Sequence, residues 1–356
     1  MKNWFKIAAV FFFLIFFLGA GCPLQIITRD SASGGDGGTF KTLDSGEIWE
    51  QKTFVGQDEK RRFTIGALSI RSFTFDPLNS DIIYLGTLAN GIYRTENGGE
   101  QWVKLPVEGL ISDVAIDPQS PSIVYAVVGF SLLKSVDSGA MWETVYTDSR
   151  GQLIQALVID WFDTAHLLIT TNRSEVLESW DNGVTWQFVS RLEAIPKDII
   201  IDPRDSRVLY VPVIGGNLFR STDAGHTWEL FLADKFAEFP SSNNVHSIVF
   251  YDARPAVLFF ATDYGLLRYD GDTGALSEIN TLVQARALPI TTFAVNPVNE
   301  QEILFPVGKV IHKTDNGGES WKIIENFPSS RQIITIVSDP DKPGVYYAGT
   351  LVPRKK

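Results

Sequence analysis

The sequence predicts an all-β fold, a seven-bladed β-propeller of four-stranded antiparallel blades closed by pairing N- and C-terminal strands in one blade. Three observations lead there: a composition suited to short strands, an octad that returns about every 43 residues, and an Asp/Asn-Pro step that alternates with it. Aromatic residues make up 12% of the 356 positions, alongside 29 glycines and 17 prolines, a mixture that favours tight turns over long helices. The 44% hydrophobic content is ample for a large core.

The octad comes first in the argument because it sets the period. Residues 42–49 read TLDSGEIW, and related octads follow at 95–102, 135–142, 179–186, 221–228 and 314–321. A seventh, at 270–277, keeps Asp272 and Gly274 but has lost the tryptophan. Its third residue is a short acceptor, Asp44, Asn97, Asp137, Asp181, Asp223, Asp272 or Asn316, whose side chain can bond the following amides while glycine takes positive φ. That is a hairpin joining the third and fourth strands of a blade. The closing tryptophans, Trp49, Trp102, Trp142, Trp186, Trp228 and Trp321, are expected to bury their rings between neighbouring sheets. A catalytic carboxylate is needed once or twice, not in every blade, so the repeated aspartates are read as architecture rather than as acids or calcium ligands.

The second marker lies between octads, at Asp76-Pro77, Asp117-Pro118, Asp202-Pro203, Asn296-Pro297 and Asp339-Pro340, with weaker versions at Asp160 and Asp252. Proline fixes φ and the preceding side chain bonds nearby backbone, which makes each step a turn before an apolar strand. For one complete unit the predicted strands are 70–75, 82–86, 91–95 and 102–105. At the N-terminus the octad precedes the Asp-Pro step, while at the C-terminus the step comes last. The permutation predicts that residues 39–54 supply the outer strands of a blade whose inner strands come from 333–351, so that closure removes exposed edges.

Residues 1–6 carry Lys2 and Lys6, residues 7–18 are an unbroken apolar run, and Gly19, Ala20, Gly21 and Cys22 follow. This reads as a secretory signal, too short for a comfortable membrane span. An uncleaved anchor is the alternative. Small residues before the only cysteine of the chain resemble the lipobox of bacterial lipoproteins, although Gly19 stands where that family has leucine and Leu18 lies one place further back. The resemblance implies acylation of Cys22 and a membrane-anchored lipoprotein on the extracytoplasmic side. The resulting organisation is a signal peptide over 1–21, a flexible Gly/Ser-rich tether over 22–38 and the propeller over 39–356.

The formal net charge is −11, and removal of the two signal lysines makes the mature chain more acidic still, which excludes nucleic acid as an expected partner. One cysteine cannot form an internal disulfide, and His166, His226, His246 and His312 show no metal-ligand spacing, so no metal or cofactor is expected. Nucleophile-elbow, zinc-protease and phosphate-loop motifs are also missing.

The connections between blades vary most in length and carry Arg61, Arg62, Arg150, Arg191, Lys235, Arg286 and Arg331, a sparse cationic ring balanced by acids of the same loops. These seven are the candidate partner-binding residues, expected to take an acidic segment or C-terminal carboxylate through arginine forks.

The octads resemble the Asp-box of the bacterial neuraminidase repeat, found in sialidases, sortilin-type receptors and photosystem II assembly factors. The whole of 39–356 is similar to the photosystem II stability/assembly factor family. That resemblance implies a non-catalytic extracytoplasmic binding or assembly scaffold, a monomer, with a protein client or cell-envelope component as partner. The alternative is a carbohydrate-active enzyme, sialidase-like or another glycoside hydrolase. Against it, the Phe/Tyr-Arg-Ile-Pro motif of sialidases does not occur, and the xyloglucan-type hydrolases with this repeat set two propellers around a cleft where this chain has room for one. The discriminating feature is the central pocket: clustered acids with arginine and tyrosine favour hydrolysis, whereas a basic or aromatic platform favours protein binding.

Overall fold

In the computed structural model, which describes residues 35–251, 257–281 and 289–353, Ile70–Asp76, Asn79–Thr87, Ile92–Thr95 and Val103–Lys104 pair in that order as an antiparallel meander. The predicted boundaries for this blade, the second, fall within a few residues of these. The same four-stranded order repeats from Ile111–Ile116 to Glu143–Thr147, from Ile154–Ile159 to Gln187–Arg191, and from Ile200–Asp202 to Glu229–Leu230. It repeats again from Val245–Tyr251 to Leu276–Ile279 and from Ala294–Asn296 to Lys322–Ile324, giving blades three to seven.

Blade one takes strands from both ends of the described chain. Its order is Glu50–Gln51, Thr39–Thr42, Tyr346–Thr350 and Ile333–Ser338, with Thr39 opposite Gly349 and Thr42 opposite Tyr346. The Gly38 amide donates to Thr350 Oγ1 at 2.8 Å at the end of that pairing. The fold is therefore all-β with seven four-stranded sheets; a small hairpin, Phe54–Gln57 with Arg62–Thr64, and one short helix, Ala233–Phe236, are additions.

Each Asp/Asn-Pro step closes the turn between first and second strands with its own side chain. Asp76 Oδ1 accepts the Leu78 amide at 2.8 Å, Asp117 Oδ1 that of Gln119 at 2.8 Å, and Asn296 Oδ1 that of Val298 at 3.0 Å. Asp160, the weaker version, does the same for Phe162 at 2.8 Å, while Asp252 lies outside the described residues.

The core is divided among the seams between blades, because each sheet is apolar on both faces and must cover each face with a neighbour. At the seam of blades one and two, Trp102 is fully buried among Ile83, Leu85, Val345 and Tyr347. Trp49 packs with Leu304, Ile311 and Ile324 of blade seven, and Gly46 beside it has φ +89°, where a Cβ would meet Leu304 Cδ2 at 2.7 Å. Trp142, Trp186, Trp228 and Trp321 are half-buried against the preceding blade in each case. The seam of blades five and six has no octad tryptophan; there Phe231 stands 5.2 Å from the Tyr210 ring and 5.4 Å from the Tyr269 ring, with Phe236 of the short helix against Phe260. Inserted loop aromatics fill the place the lost tryptophan vacated.

Candidate active site

The first strand of each blade faces the ring axis, and residues near its start determine what lines the central channel. Six of these positions fall five and four residues before the Asp/Asn of the turn: Arg71-Ser72, Ser112-Asp113, Gln155-Ala156, Lys197-Asp198, Thr291-Thr292 and Ile334-Thr335. Blade six contributes His246-Ser247, displaced by one residue where its first strand bulges between Val245 and Ser247. Together with Leu88 these pairs enclose a cavity of about 450 Å³ at the end of the channel away from the Asp-Pro turns.

Two carboxylates, from blades three and five, line this polar chamber. Asp113 accepts the Val114 amide on Oδ1 at 2.8 Å and the Leu157 amide of the next blade on Oδ2 at 2.9 Å, so its carboxylate is fixed across a seam. Asp198 Oδ1 accepts the Ile199 amide at 2.8 Å. Asp198 is exposed to the cavity and Asp113 partly buried at its wall.

The electrostatic result is unusual for aspartate. Desolvation, reinforced by the charge of Asp198, pushes Asp113 up to about 7 against the pull of two amides and Arg71. Desolvation likewise raises Asp198 to about 6 against the Ile199 amide and Arg71. The charge of Asp198 adds to the retention of a proton on Asp113.

Neighbours complete the chamber. His246 Nε2 and Asp263 Oδ1 are 2.6 Å apart, and Asn244 Nδ2 donates to Asp263 Oδ2 at 2.6 Å, which fixes the imidazole plane at the wall. Lys197 Nζ donates to Asn244 Oδ1 at 2.7 Å and to the Val245 carbonyl at 2.8 Å, and burial holds its pKa below the ordinary lysine value. Arg71 reaches across to the Ser112 carbonyl at 3.0 Å. Among the described residues the chamber thus has acids and an arginine, with no tyrosine in its lining. No group of His, Cys, Asp and Glu among the described residues is arranged to hold a metal ion.

The octad residues lie elsewhere, on the turns at the opposite end of the blades. The third residue accepts the amide four places on: Ile48 on Asp44 at 2.9 Å, Gln101 on Asn97 at 2.9 Å, Met141 on Asp137 at 2.8 Å, Thr185 on Asp181 at 2.8 Å, Thr227 on Asp223 at 2.8 Å and Ser320 on Asn316 at 3.0 Å. Trp49, Trp142 and Trp186 donate their indole N–H to the carbonyl of the octad glycine at 2.8–2.9 Å, whereas Trp102, Trp228 and Trp321 donate across the seam to Lys52, Ser190 and Asn280. In the degenerate copy the acceptor is Asp270, which receives the amides of Asp272 and Thr273 at 3.1 and 3.0 Å; Asp272 is a donor there. Hydrogen bonds from Thr185 and Ser179 hold Asp181 down at about 2, and those from Thr227 and Ser221 bring Asp223 to about 2 in spite of some desolvation.

The loop cations do not form a set of free forks. Arg150 and Arg191 both bind Glu175, at 2.6 Å each, and Arg150 also reaches Asp148. Arg331 pairs with Asp36 at 2.8 Å and donates to the Gly66 carbonyl, and the Arg62 guanidinium lies over Phe54. Arg61 closes the hairpin tip through its backbone amide to Asp58, and Lys235 sits on the short helix. Arg286 and Cys22 are outside the described residues.

What the geometry defines is a seven-bladed propeller with two aspartates in the lining of its central cavity. No protein-family model matches the chain. It is similar to a xyloglucanase of Paenibacillus sp, 22% identical over 275 residues, 72% of this chain and 21% of that protein. It is also similar to xyloglucanase Xgh74A of Acetivibrio thermocellus, 28% identical over 209 residues, 44% of this chain and 24% of that protein. The chain thus spans under a quarter of the length of these relatives. Among solved structures, the GH74 enzyme of Niastella koreensis superposes with a TM-score of 0.63 at 17% identity, over 84% of this chain and 53% of that one. YCF48 bound to D1 peptide superposes with a TM-score of 0.61 at 14% identity, over 82% and 94%.

These similarities correct the expectation of a non-catalytic assembly scaffold. The detectable sequence relatives are glycan-cleaving enzymes, and the resemblance to an assembly factor is one of fold. The octads misled because they encode turns and seams, which a hydrolase and a scaffold need equally, while the residues that differ lie in the channel.

Proposed function

We propose that this chain is a glycoside hydrolase acting on a xyloglucan-type β-glucan at the mouth of its central channel. The observation that carries the reading is the pair Asp113 and Asp198, two channel carboxyls both raised far above the ordinary aspartate value. The xyloglucanase relatives supply the substrate class.

In this reading Asp113 is the general acid. It donates its proton to the bridging oxygen as the bond from the anomeric carbon to that oxygen breaks, and the electron pair leaves with the oxygen. Asp198, ionised, faces the positive charge developing on the anomeric carbon and either bonds to it or activates the attacking water. His246, held by Asp263, and Arg71 offer N–H donors to sugar hydroxyls. The Arg150 and Arg191 forks, anchored on Glu175 at the loop end, extend the rim with their remaining donors. Export follows from the apolar leader, and acylation of Cys22 tethers the enzyme to the outer side of the membrane, where polysaccharide is met.

The test is release of reducing ends from xyloglucan by the purified chain and by Asp113→Asn and Asp198→Asn. Turnover by the unaltered chain that collapses in both variants supports the reading. Absence of turnover in the unaltered chain, or equal turnover in all three, overturns it. Tethering is checked separately, since Cys22→Ala is expected to move the protein from the detergent phase to the aqueous phase on partitioning.

A further inference from the structure

The face opposite the catalytic mouth carries a cluster of exposed aromatics that neither the seams nor the channel uses. Trp161 and Phe162 lie on the turn after the first strand of blade four, 44% and 62% exposed, and Trp180 is the second residue of the octad of the same blade, 52% exposed. The two turns are joined, for the Asn182 amide donates to the Ala165 carbonyl at 3.0 Å. Trp161 also borders an apolar hollow of about 310 Å³ at this end of the channel, with Pro77 and Pro118 on its rim.

The Trp180 ring and the turn that carries Trp161 and Phe162 are held in place. The Trp180 indole stacks on the His166 imidazole with centroids 3.7 Å apart and planes 7° from parallel, leaving its other face outward. His166 is buried between Asp160 Oδ2 at 3.4 Å and Glu178 Oε2 at 3.3 Å, and Gln187 Nε2 braces Glu178 at 2.6 Å. Gln119 Nε2 donates to the carbonyls of both Trp161 and Phe162, at 3.1 and 3.3 Å, fixing the second turn from blade three. Asp160 Oδ1 bonds the Phe162 amide from below. A buried polar network under an exposed indole costs more than an ordinary surface residue would justify for stability alone.

We propose that Trp161, Phe162 and Trp180 form a second, non-catalytic site that binds a neutral β-linked polysaccharide by stacking. The flat C–H faces of a β-glucan ribbon match pre-oriented aromatic faces, and its hydroxyls suit the acceptors around them, with Asp163 and Asn182 on the same turns. The carboxylates Asp160, Asp163, Glu178 and Asp181 around the cluster favour a neutral ligand over an anionic one and disfavour an anionic phospholipid surface. The proposal rests on the polysaccharide class of the reading above, not on the channel carboxylates. It makes the molecule two-sided: one face would hold a chain while the other cleaves.

Affinity electrophoresis of the full chain carrying Asp113→Asn, through native gels with and without soluble xyloglucan, measures binding without loss of the ligand. Adding Trp161→Ala and Phe162→Ala, and separately Trp180→Ala, is expected to weaken retardation about tenfold each. Trp180→Phe restores part of it, and melting curves confirm that the variants fold. Unchanged retardation in all of them overturns the proposal, as does co-sedimentation with phosphatidylcholine vesicles that the same substitutions abolish. Failure of the catalytic reading looks different: xyloglucan cleavage would then survive Asp113→Asn while the aromatic variants still lose retardation.

Discussion

Asp181 on a turn and Asp113 in the channel are both aspartates of a β-meander, but the first is drawn down to about 2 and the second pushed up to about 7. Each receives two or more hydrogen bonds, so bonding alone does not separate them. Solvent does. Asp181 stands at the open rim, where every donor adds to the stability of its charge, whereas desolvation and the charge of Asp198 raise Asp113 in the channel. One residue type therefore does structural work at one end of the blades and is poised for proton transfer at the other.

The contrast is broken most severely in the channel. Asp113→Asn removes the carboxyl proposed as the proton donor, and the rate of xyloglucan cleavage per folded molecule is expected to fall by about 10²–10⁴-fold. Unaltered cleavage would leave the raised carboxyls without a task.

Seam tryptophans give the next largest effect, this time on stability alone. Trp102 is fully buried and Trp186 half-buried, so truncation to alanine is expected to cost about 3–5 kcal/mol at the first and about 2–4 kcal/mol at the second. Urea unfolding measures both. If cleavage per folded molecule dropped as well, the seams and channel would be coupled and the division drawn above would fail.

The two sets of carboxylates also act on stability with opposite signs. A lowered group such as Asp223 contributes stability above its unfolded value near 3.9, and that contribution is lost as pH falls through the folded value of about 2. A raised group such as Asp113 contributes fully below the unfolded value, and the contribution is lost as pH rises through the folded value of about 7. Thermal stability is thus expected to peak in weakly acidic solution. Asp113→Asn flattens the alkaline limb of the profile, and a limb unchanged by the substitution would assign the loss to the general acidity of the chain instead.

Architecture was legible in the sequence because it repeats. Six tryptophan octads and the Asp/Asn-Pro steps mark the same two turns in blade after blade, and the strands predicted for blade two match those found. The channel was hidden for the opposite reason: Asp113 and Asp198 are single departures within their repeats, separated by a whole blade, and nothing local brings them together. A signal did exist. Setting the repeats in register on the Asp/Asn of the turn stacks Arg71-Ser72 on Ser112-Asp113 and Lys197-Asp198, a column that must face the axis. The loop cations drew attention instead because arginine is conspicuous, yet Arg150, Arg191 and Arg331 were already occupied by Glu175 and Asp36.

The smallest expected effect is also the sharpest probe of what the octad carboxylate does. Asn97 and Asn316 occupy its position in two blades, and each accepts the amide four places on as the aspartates do. In the Asn316 turn the amide nitrogen donates to Ser320 Oγ, the reverse of the bond in which Thr227 Oγ1 donates to Asp223 Oδ2. Asp223→Asn can therefore keep both contacts while discarding the charge. Its melting temperature at pH 7 is expected to change little, but the decline between pH 4 and pH 2 should shrink, because the group that had to be protonated is gone. Asp223→Ala loses the acceptor and lowers the melting temperature at every pH. If the two substitutions behaved alike, the charge and not the acceptor geometry would be holding the turn, and the presence of asparagine in two of the blades would need another cause.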